Sequence, residues 1–172
     1  LGKAVKEFEA CMDADREVPV VGVVGEIYVK YNSFSNKNTL QWLIDHEIEV
    51  VPPAISGFFS TGIVNASVNR DKHIKEKNAP LWLMKGVNLW LNKVAHSYDE
   101  VCKHYPHYRP FVDIREYAEA AKKVINPAAD FGEGWFLPGE ICYMAEHGVR
   151  KVVSLQPFGC IANHIISRNC SL

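Results

Sequence analysis

The chain places a cysteine and a histidine four residues apart at 155–164, where the sequence reads LQPFGCIANH. The apolar run KVVSL (151–155) ends there, and Gln156, Pro157 and Gly159 then lead to Cys160. Because a helix is predicted to begin at residue 161, Cys160 stands at a helix N-terminus. The helix dipole lowers the pKa of a thiol in that position and makes its thiolate a better metal ligand or nucleophile.

Two interpretations of Cys160 remain open at this point. It either ligates metal together with ligands from another segment, or it packs as an inert buried thiol under the helix at 161–168. A zinc site needs about four ligands at close spacing, and the nearest other cysteines, Cys142 and Cys170, do not offer that spacing. His164, one turn beyond the thiol, is expected to be a nearby N–H donor and not a ligand.

The composition bounds the class of protein. With 172 residues, 48% hydrophobic and 23% charged, the chain can bury one core of its own. A net charge of -1 without a basic block argues against a nucleic-acid partner. No apolar run approaches the roughly 20 residues of a membrane span, and the start has no signal-peptide pattern. Five widely spaced cysteines without a CxxC favour a reducing, cytoplasmic location.

The two ends of the sequence bear on domain organisation. The chain opens with Leu and not Met, and its first residues, LGKAVKEFEACM, are typical of a helix. The last residues, HIISRNCSL, stop inside another predicted helix. We therefore expect residues 1–172 to be a single α/β domain that belongs to a larger protein.

The elements that position the cysteine begin with a predicted βαβ unit. VPVVGVVGEI (18–27) is an almost continuous apolar run, as in a strand buried on both faces of a parallel sheet. A polar loop and a helix at 40–48 follow, and EVVPPA (49–54) is a short strand closed by prolines.

A helical insertion is predicted from about residue 54 to 126. An apolar stripe at helical spacing indicates a long helix over 80–102, and Asp113 begins another with a pattern that resembles a capping box. Trp82 and Trp90 lie in this region, and we expect them to be packing contacts.

The α/β pattern resumes with a helix from Pro138 to a C′ glycine, Gly148, and with a strand at 151–155. The order predicts an open parallel sheet of the doubly wound, Rossmann or flavodoxin-like type, with a helical insertion.

Ligands of such sheets bind beyond the carboxyl ends of the strands. Three loops qualify: 25–36, 131–140 and 156–164, of which the second has the least secure place because no strand comes directly before it. Gly25 and Glu26 open the first loop, but it has no phosphate-binding motif. Gly25 either turns the chain out of the strand or admits a cofactor. Glu26 either caps a helix or orients a ligand, and it would repel a phosphate.

Three strings resemble one protein family: VGVVGEIYVKYNSFSN, GEGWFLPGEI and HGVRKVVSLQPFGCIANHI. From about residue 18 to its end, the chain is similar to the large activases, or activase-related proteins, of 2-hydroxyacyl-CoA dehydratases, such as the 2-hydroxyglutaryl-CoA enzyme. It resembles the part of those chains that is related to the iron–sulfur dehydratase subunits, and not their ATPase part. It departs from those subunits after the first strand, where Gly25-Glu26 replaces a cysteine-bearing loop.

The resemblance implies a role in anaerobic metabolism, in which ATP hydrolysis drives one electron at low potential through [4Fe-4S] clusters to a dehydratase. It implies that Cys160 ligates iron, that Gly159 lets the backbone approach the cluster, and that the other ligands lie upstream of residue 1. The implied partners are the remaining domains of the same protein and the dehydratase subunits. Residues 1–172 alone are then expected to lack a stable cluster, and whether they have enzyme activity stays open.

Two other functions are compatible with the sequence. The same sheet could be a metal-free module that holds an acyl-CoA or another small anion in its loops. Alternatively, the chain could be a docking domain whose contact surface for a partner subunit is the helical insertion at 54–126.

Overall fold

The structure is a computed structural model that describes residues 2–12, 16–74, 80–105 and 107–169. Cys170 lies outside the described residues. Three parallel strands form one open sheet in the order β2-β1-β3. They are β1 (Val20–Gly25), β2 (Glu49–Val51) and β3 (Val152–Leu155), and the eight described helices are α1 (Gly2–Ala10), α2 (Ile27–Tyr31), α3 (Thr39–Asp45), α4 (Ser56–Asp71), α5 (Leu81–Cys102), α6 (Ile114–Ala121), α7 (Phe136–Glu146) and α8 (Ile161–Asn169).

The central strand explains why the sheet forms. In β1, Val21, Val23 and Val24 are buried, and Val23 lies opposite Val153 of β3. A continuous valine run suits this position because both faces of the strand are covered. The predicted mixed α/β fold with an open parallel sheet is thus confirmed, and its strand order is compatible with a flavodoxin-like fold.

Helix α7 joins two apolar clusters. Leu137, Ile141 and Met144 pack with Val24 and Val149 next to the sheet. A second cluster packs α7 against α4 and α6, and it is built from Val64, Ile114, Tyr117, Ala118, Ala121, Trp135 and Phe136. The close contact of α6 and α7 depends on Gly139, where a Cβ would lie 2.5 Å from the carbonyl oxygen of Tyr117.

Described residues in the predicted insertion, 54–126, contain helices α4, α5 and α6 and no strand. The predicted start of α6 is confirmed, because Asp113 accepts a hydrogen bond from the Arg115 backbone at 2.9 Å. The prediction that Trp82 and Trp90 are packing contacts is wrong: they are 75% and 63% exposed. Helix α5 contacts α4 and α1, and these contacts leave both tryptophans exposed.

Helix boundaries differ from the predicted ones at two places. Helix α2 (Ile27–Tyr31) occupies the start of the first predicted loop. Helix α7 begins at Phe136, so Pro138 is its third residue and not its first. Gly148 follows α7 with a φ of +88°, which confirms its predicted place at C′. No described helix has the length and apolar character needed to cross a membrane.

Candidate functional site

The carboxyl ends of β1 and β3 meet at one edge of the sheet, which we call the rim. Gly25 ends β1 with a φ of +126°, and a Cβ there would lie 2.0 Å from the carbonyl oxygen of Leu155. The next residue, Glu26, donates its backbone N–H to that same oxygen at 3.0 Å. Gly25 is therefore required by the approach of β3 and by its own backbone conformation.

Glu26 has a local structural role. It caps α2, since its Oε2 accepts a hydrogen bond from the Val29 backbone at 2.9 Å. The cap fixes the direction in which α2 leaves β1. As a consequence, Lys30 of α2 is directed into the protein, where only 4% of its surface is exposed.

Glu133 connects all three predicted loops. Its Oε1 accepts the backbone N–H of Ile27 at 2.9 Å, and its Oε2 accepts from Asn163 Nδ2 at 3.2 Å. The second loop thus lies at the rim, although no strand comes directly before it. Burial raises the pKa of Glu133, and the hydrogen bond from Asn163 and the charge of Lys30 oppose that rise.

Lys30 and Glu140 form a buried ion pair. Nζ of Lys30 lies 3.4 Å from Oε1 of Glu140, which is only 1% exposed. Burial raises the pKa of Glu140 to about 7, Lys30 opposes the rise, and the nearby Glu133 adds to it. Glu140 consequently titrates near neutral pH, and such perturbed groups are concentrated at functional sites.

Cys160 stands immediately before α8, at the rim and partly exposed. Its Sγ accepts a hydrogen bond from Asn163 Nδ2 at 3.3 Å. Gly159 has a φ of +95°, a conformation that favours glycine, and the space beside it is open. This loop geometry presents the sulfur at the rim with one amide donor aimed at it.

Asn163 is the residue that links the thiol to the carboxyl group of Glu133. Its amide nitrogen donates to both Cys160 and Glu133, which uses both of its N–H bonds. Its Oδ1 is occluded and, in the described part of the chain, has no hydrogen-bond partner. A buried acceptor without a donor is costly, so this oxygen marks a position where a donor or a cation would stabilise the site.

His164 points away from this network. Its Nδ1 lies 3.0 Å from the side-chain oxygen of Gln156, an acceptor, so this nitrogen donates. The expectation that His164 is an N–H donor is consistent with this contact, but the recipient is Gln156 and not the thiol.

Exposed phenylalanines belong to the same three loops. Phe34, Phe131 and Phe158 are each more than four-fifths exposed. Each is contributed by a different loop, and Phe158 is two residues from Cys160. Three large apolar side chains thus lie exposed in the loops that form the polar cluster, and no described residue covers them.

The charges of the rim favour some ligands over others. Three carboxyl groups, of Glu26, Glu133 and Glu140, accompany the single buried ammonium of Lys30. Negative potential of this kind disfavours a phosphate or another anion and suits a cation or a metal centre. A single thiolate can supply one metal ligand. No group of three or more His, Cys, Asp or Glu side chains within the described ranges could hold a metal ion by itself.

The sequence indicated the loops and Cys160 but not the coupled side chains Lys30, Glu133, Glu140 and Asn163. A signal for one of them is present. Glu140 interrupts the apolar run FLPGEICYM, and a charge inside such a run must find a buried partner or a ligand. Comparisons of the chain with protein-family models, curated proteins and solved structures found no match.

Proposed function

We propose that this chain is a cytoplasmic, doubly wound domain of an activator of 2-hydroxyacyl-CoA dehydratases, and that Cys160 ligates an iron–sulfur cluster. One observation carries the proposal: the three strings that resemble this family supply one connected cluster. GEIYVKYN provides Glu26 and Lys30, GEGWFLPGE provides Glu133 and Glu140, and QPFGCIANH provides Cys160 and Asn163. The parallel sheet brings these loops to one edge, and the hydrogen bonds and the ion pair among their side chains support a shared site there.

The described side chains fit one ligand of a cluster and not a full set. Cys160 is partly exposed at the rim, and the amide of Asn163 donates to its sulfur, as hydrogen bonds to cluster sulfurs do. The remaining thiolates would come from other domains of the same protein. A bound [4Fe-4S] cluster would supply one-electron transfer at low potential.

The other rim residues would position the thiolate and influence the reduction potential of a bound cluster. Asn163 bonds the sulfur and is itself fixed by Glu133. Glu133, which shares the Asn163 amide with the sulfur, would add negative charge near the thiolate when it is ionised, and added negative charge lowers the reduction potential of a cluster. The carboxyl groups of the rim disfavour a small anion in the loops, as in the metal-free alternative, and they act in the same sense on a thiolate-ligated cluster, which is also anionic.

The test is anaerobic iron–sulfur reconstitution of the full-length protein. We expect Cys160→Ala to lose most of the iron and the EPR signal of the reduced cluster. Cys11→Ser is the matched control, because Cys11 is exposed and lies near α1. Unchanged iron content and an unchanged spectrum in Cys160→Ala would mean that the thiol is structural.

A second candidate function, a docking domain for a dehydratase subunit, is favoured by the exposed tryptophans of α5. In binding measurements with purified dehydratase subunits, this function predicts that Trp82→Ser and Trp90→Ser weaken the interaction. Phe34→Ser, an exposed aromatic residue on the rim, is the control. If all three variants bind the dehydratase subunits as tightly as the unsubstituted chain does, α5 is excluded as the contact surface.

A further inference from the structure

A groove lies on the side of α7 that carries Tyr143 and His147. It runs between the end of β2, the segment at 108–112, and helices α6 and α7, and its volume is about 530 Å³. That volume falls within the range of small-molecule sites. None of the rim residues Lys30, Glu133, Glu140, Cys160 and Asn163 lines it.

Aromatic rings form much of the wall. The rings of Tyr117 and Tyr143 lie 5.1 Å apart at 75°, and those of Tyr143 and His147 stack at 3.9 Å and 20°. Tyr108 and Phe111 add two more rings. Such surfaces bind planar rings through stacked and edge-to-face contacts, each about 0.5–1.5 kcal/mol beyond the burial of area.

Tyr117 supplies a hydrogen bond that the protein leaves unused. The residue is 7% exposed, and its hydroxyl has no partner among the described residues, whereas Tyr108 donates to Asp99 and Tyr31 to the carbonyl of Pro53. Its oxygen is not among the occluded, unpaired side-chain atoms of the described residues, and the residue lines the groove. A ligand acceptor at this position would satisfy a polar group that is otherwise nearly buried.

Arg109 in the wall offers a partner to an anion, although the carboxyl groups of Glu140 and Glu116 also act electrostatically on Tyr117, and that of Glu116 on Tyr143. Among the described residues that line the groove, the ionisable side chains other than tyrosines are Arg109 and His147, and none is a carboxylate. Arg109 bonds to Glu49 through Nη2 at 3.0 Å and is 43% exposed. A guanidinium has five N–H donors, so others remain for a ligand.

We propose that this groove binds a planar aromatic ligand that carries an anionic group. The ring packs on Tyr143, an acceptor on the ring or next to it receives the hydroxyl of Tyr117, and the anionic group pairs with Arg109. This site is separate from the proposed iron–sulfur site, since Cys160 does not line the groove.

The test is titration of the isotope-labelled chain with phenyl phosphate and with AMP, followed by amide resonances in NMR. We expect both probes to shift the amide resonances of residues 108, 109, 111, 112, 117 and 143–147 at concentrations up to about 10 mM, the range of weak binding. Ribose 5-phosphate, which has the anion without the ring, should bind at least about tenfold more weakly, the equivalent of one stacking contact.

Single substitutions separate the contributions of the Tyr117 hydroxyl and of the Arg109 guanidinium to the affinity. Tyr117→Phe removes only a hydroxyl and should raise the Kd about fivefold, as expected for one hydrogen bond. Arg109→Gln should weaken the binding of AMP but leave the affinity for adenosine unchanged. Tyr98→Phe, on the exposed side of α5, is the matched control and should bind like the unsubstituted chain. Absence of shifts in the groove with both aromatic probes, or equal affinities of Tyr117→Phe and Tyr98→Phe, would overturn the proposal.

Discussion

Replacing Glu140 by glutamine tests whether the ionised carboxylate at the rim destabilises the fold. Its side chain is almost fully buried, and Oε1 lies 3.4 Å from Lys30 Nζ. Burial raises its pKa from 4.5 to about 7, which means that desolvation costs more free energy than the pairing with Lys30 returns. We therefore expect Glu140→Gln to increase stability above pH 7, although it removes one partner of an ion pair.

The magnitude follows from the shift. A rise of the pKa from 4.5 to about 7, at about 1.4 kcal/mol per pKa unit, corresponds to about 3–4 kcal/mol. Between pH 4.5 and about 7, the folded state keeps the proton and the unfolded state releases it, so stability falls as the pH rises through this window. Below pH 4.5 the stabilisation is fully present. Glu133, whose pKa is also raised by burial, adds a loss of the same sign.

Urea unfolding of both proteins at several pH values from 5 to 8 measures the effect, since the free energy of unfolding follows from the midpoint and the slope. The advantage of Glu140→Gln should grow from less than about 1 kcal/mol at pH 5 to about 3–4 kcal/mol at pH 8. Glu146→Gln is the control, because Glu146 lies on the same helix in an exposed pair with Lys123, and its effect should stay within about 0.5 kcal/mol. A variant less stable than the unsubstituted chain at pH 8, or a difference independent of pH, would refute the reasoning.

Three other predictions use the same structure. Gly25→Ala should destabilise the chain by more than about 3 kcal/mol in urea unfolding, because its Cβ would meet Leu155. Gly86→Ala, inside α5 where the space is open, should instead raise the free energy of unfolding by about 0.5–1 kcal/mol. Equal effects of these two would show that the contact of β1 with β3 is not as described. Glu26→Ala should cost about 1 kcal/mol by removal of the α2 cap, and no loss would mean that the cap is dispensable. The chain alone should not hydrolyse ATP, because it lacks a phosphate loop with Lys and Ser/Thr, and steady phosphate release after rigorous purification would contradict this.

The strands and most helices could be predicted because their signals are local. A run of valines interrupted by glycine specifies β1, and the apolar spacing at 80–102 specifies α5. Helix α2 could not be predicted in the same way. It has five residues, and it depends on the cap at Glu26 and on the burial of Lys30.

The exposure of Trp82 and Trp90 shows a second limit of the sequence. Helical spacing shows which residues share a face, but it does not show whether another element covers that face. The described part of the chain packs α5 against α4 and α1 and leaves both tryptophans exposed. An amphipathic pattern therefore predicts a helix more securely than it predicts a core.

The placement of the rim residues depends on contacts between distant segments. Ile27 and Glu133 are 106 positions apart, and Lys30 and Glu140 are 110 apart, yet each pair is joined by a hydrogen bond. Hydrophobic burial alone would favour apolar side chains at Lys30 and Glu140, since the pair costs the fold free energy at neutral pH. The other buried residues on the inner side of α7 are mostly apolar. The Lys30–Glu140 pair therefore departs from the rule that buried positions hold apolar side chains. Such departures are expected at functional sites, and this one lies next to the segment that presents Cys160. The buried Lys30–Glu140 pair, which joins two of the three rim loops, is therefore a second reason, beside the resemblance, to test the rim as the site at which the chain acts.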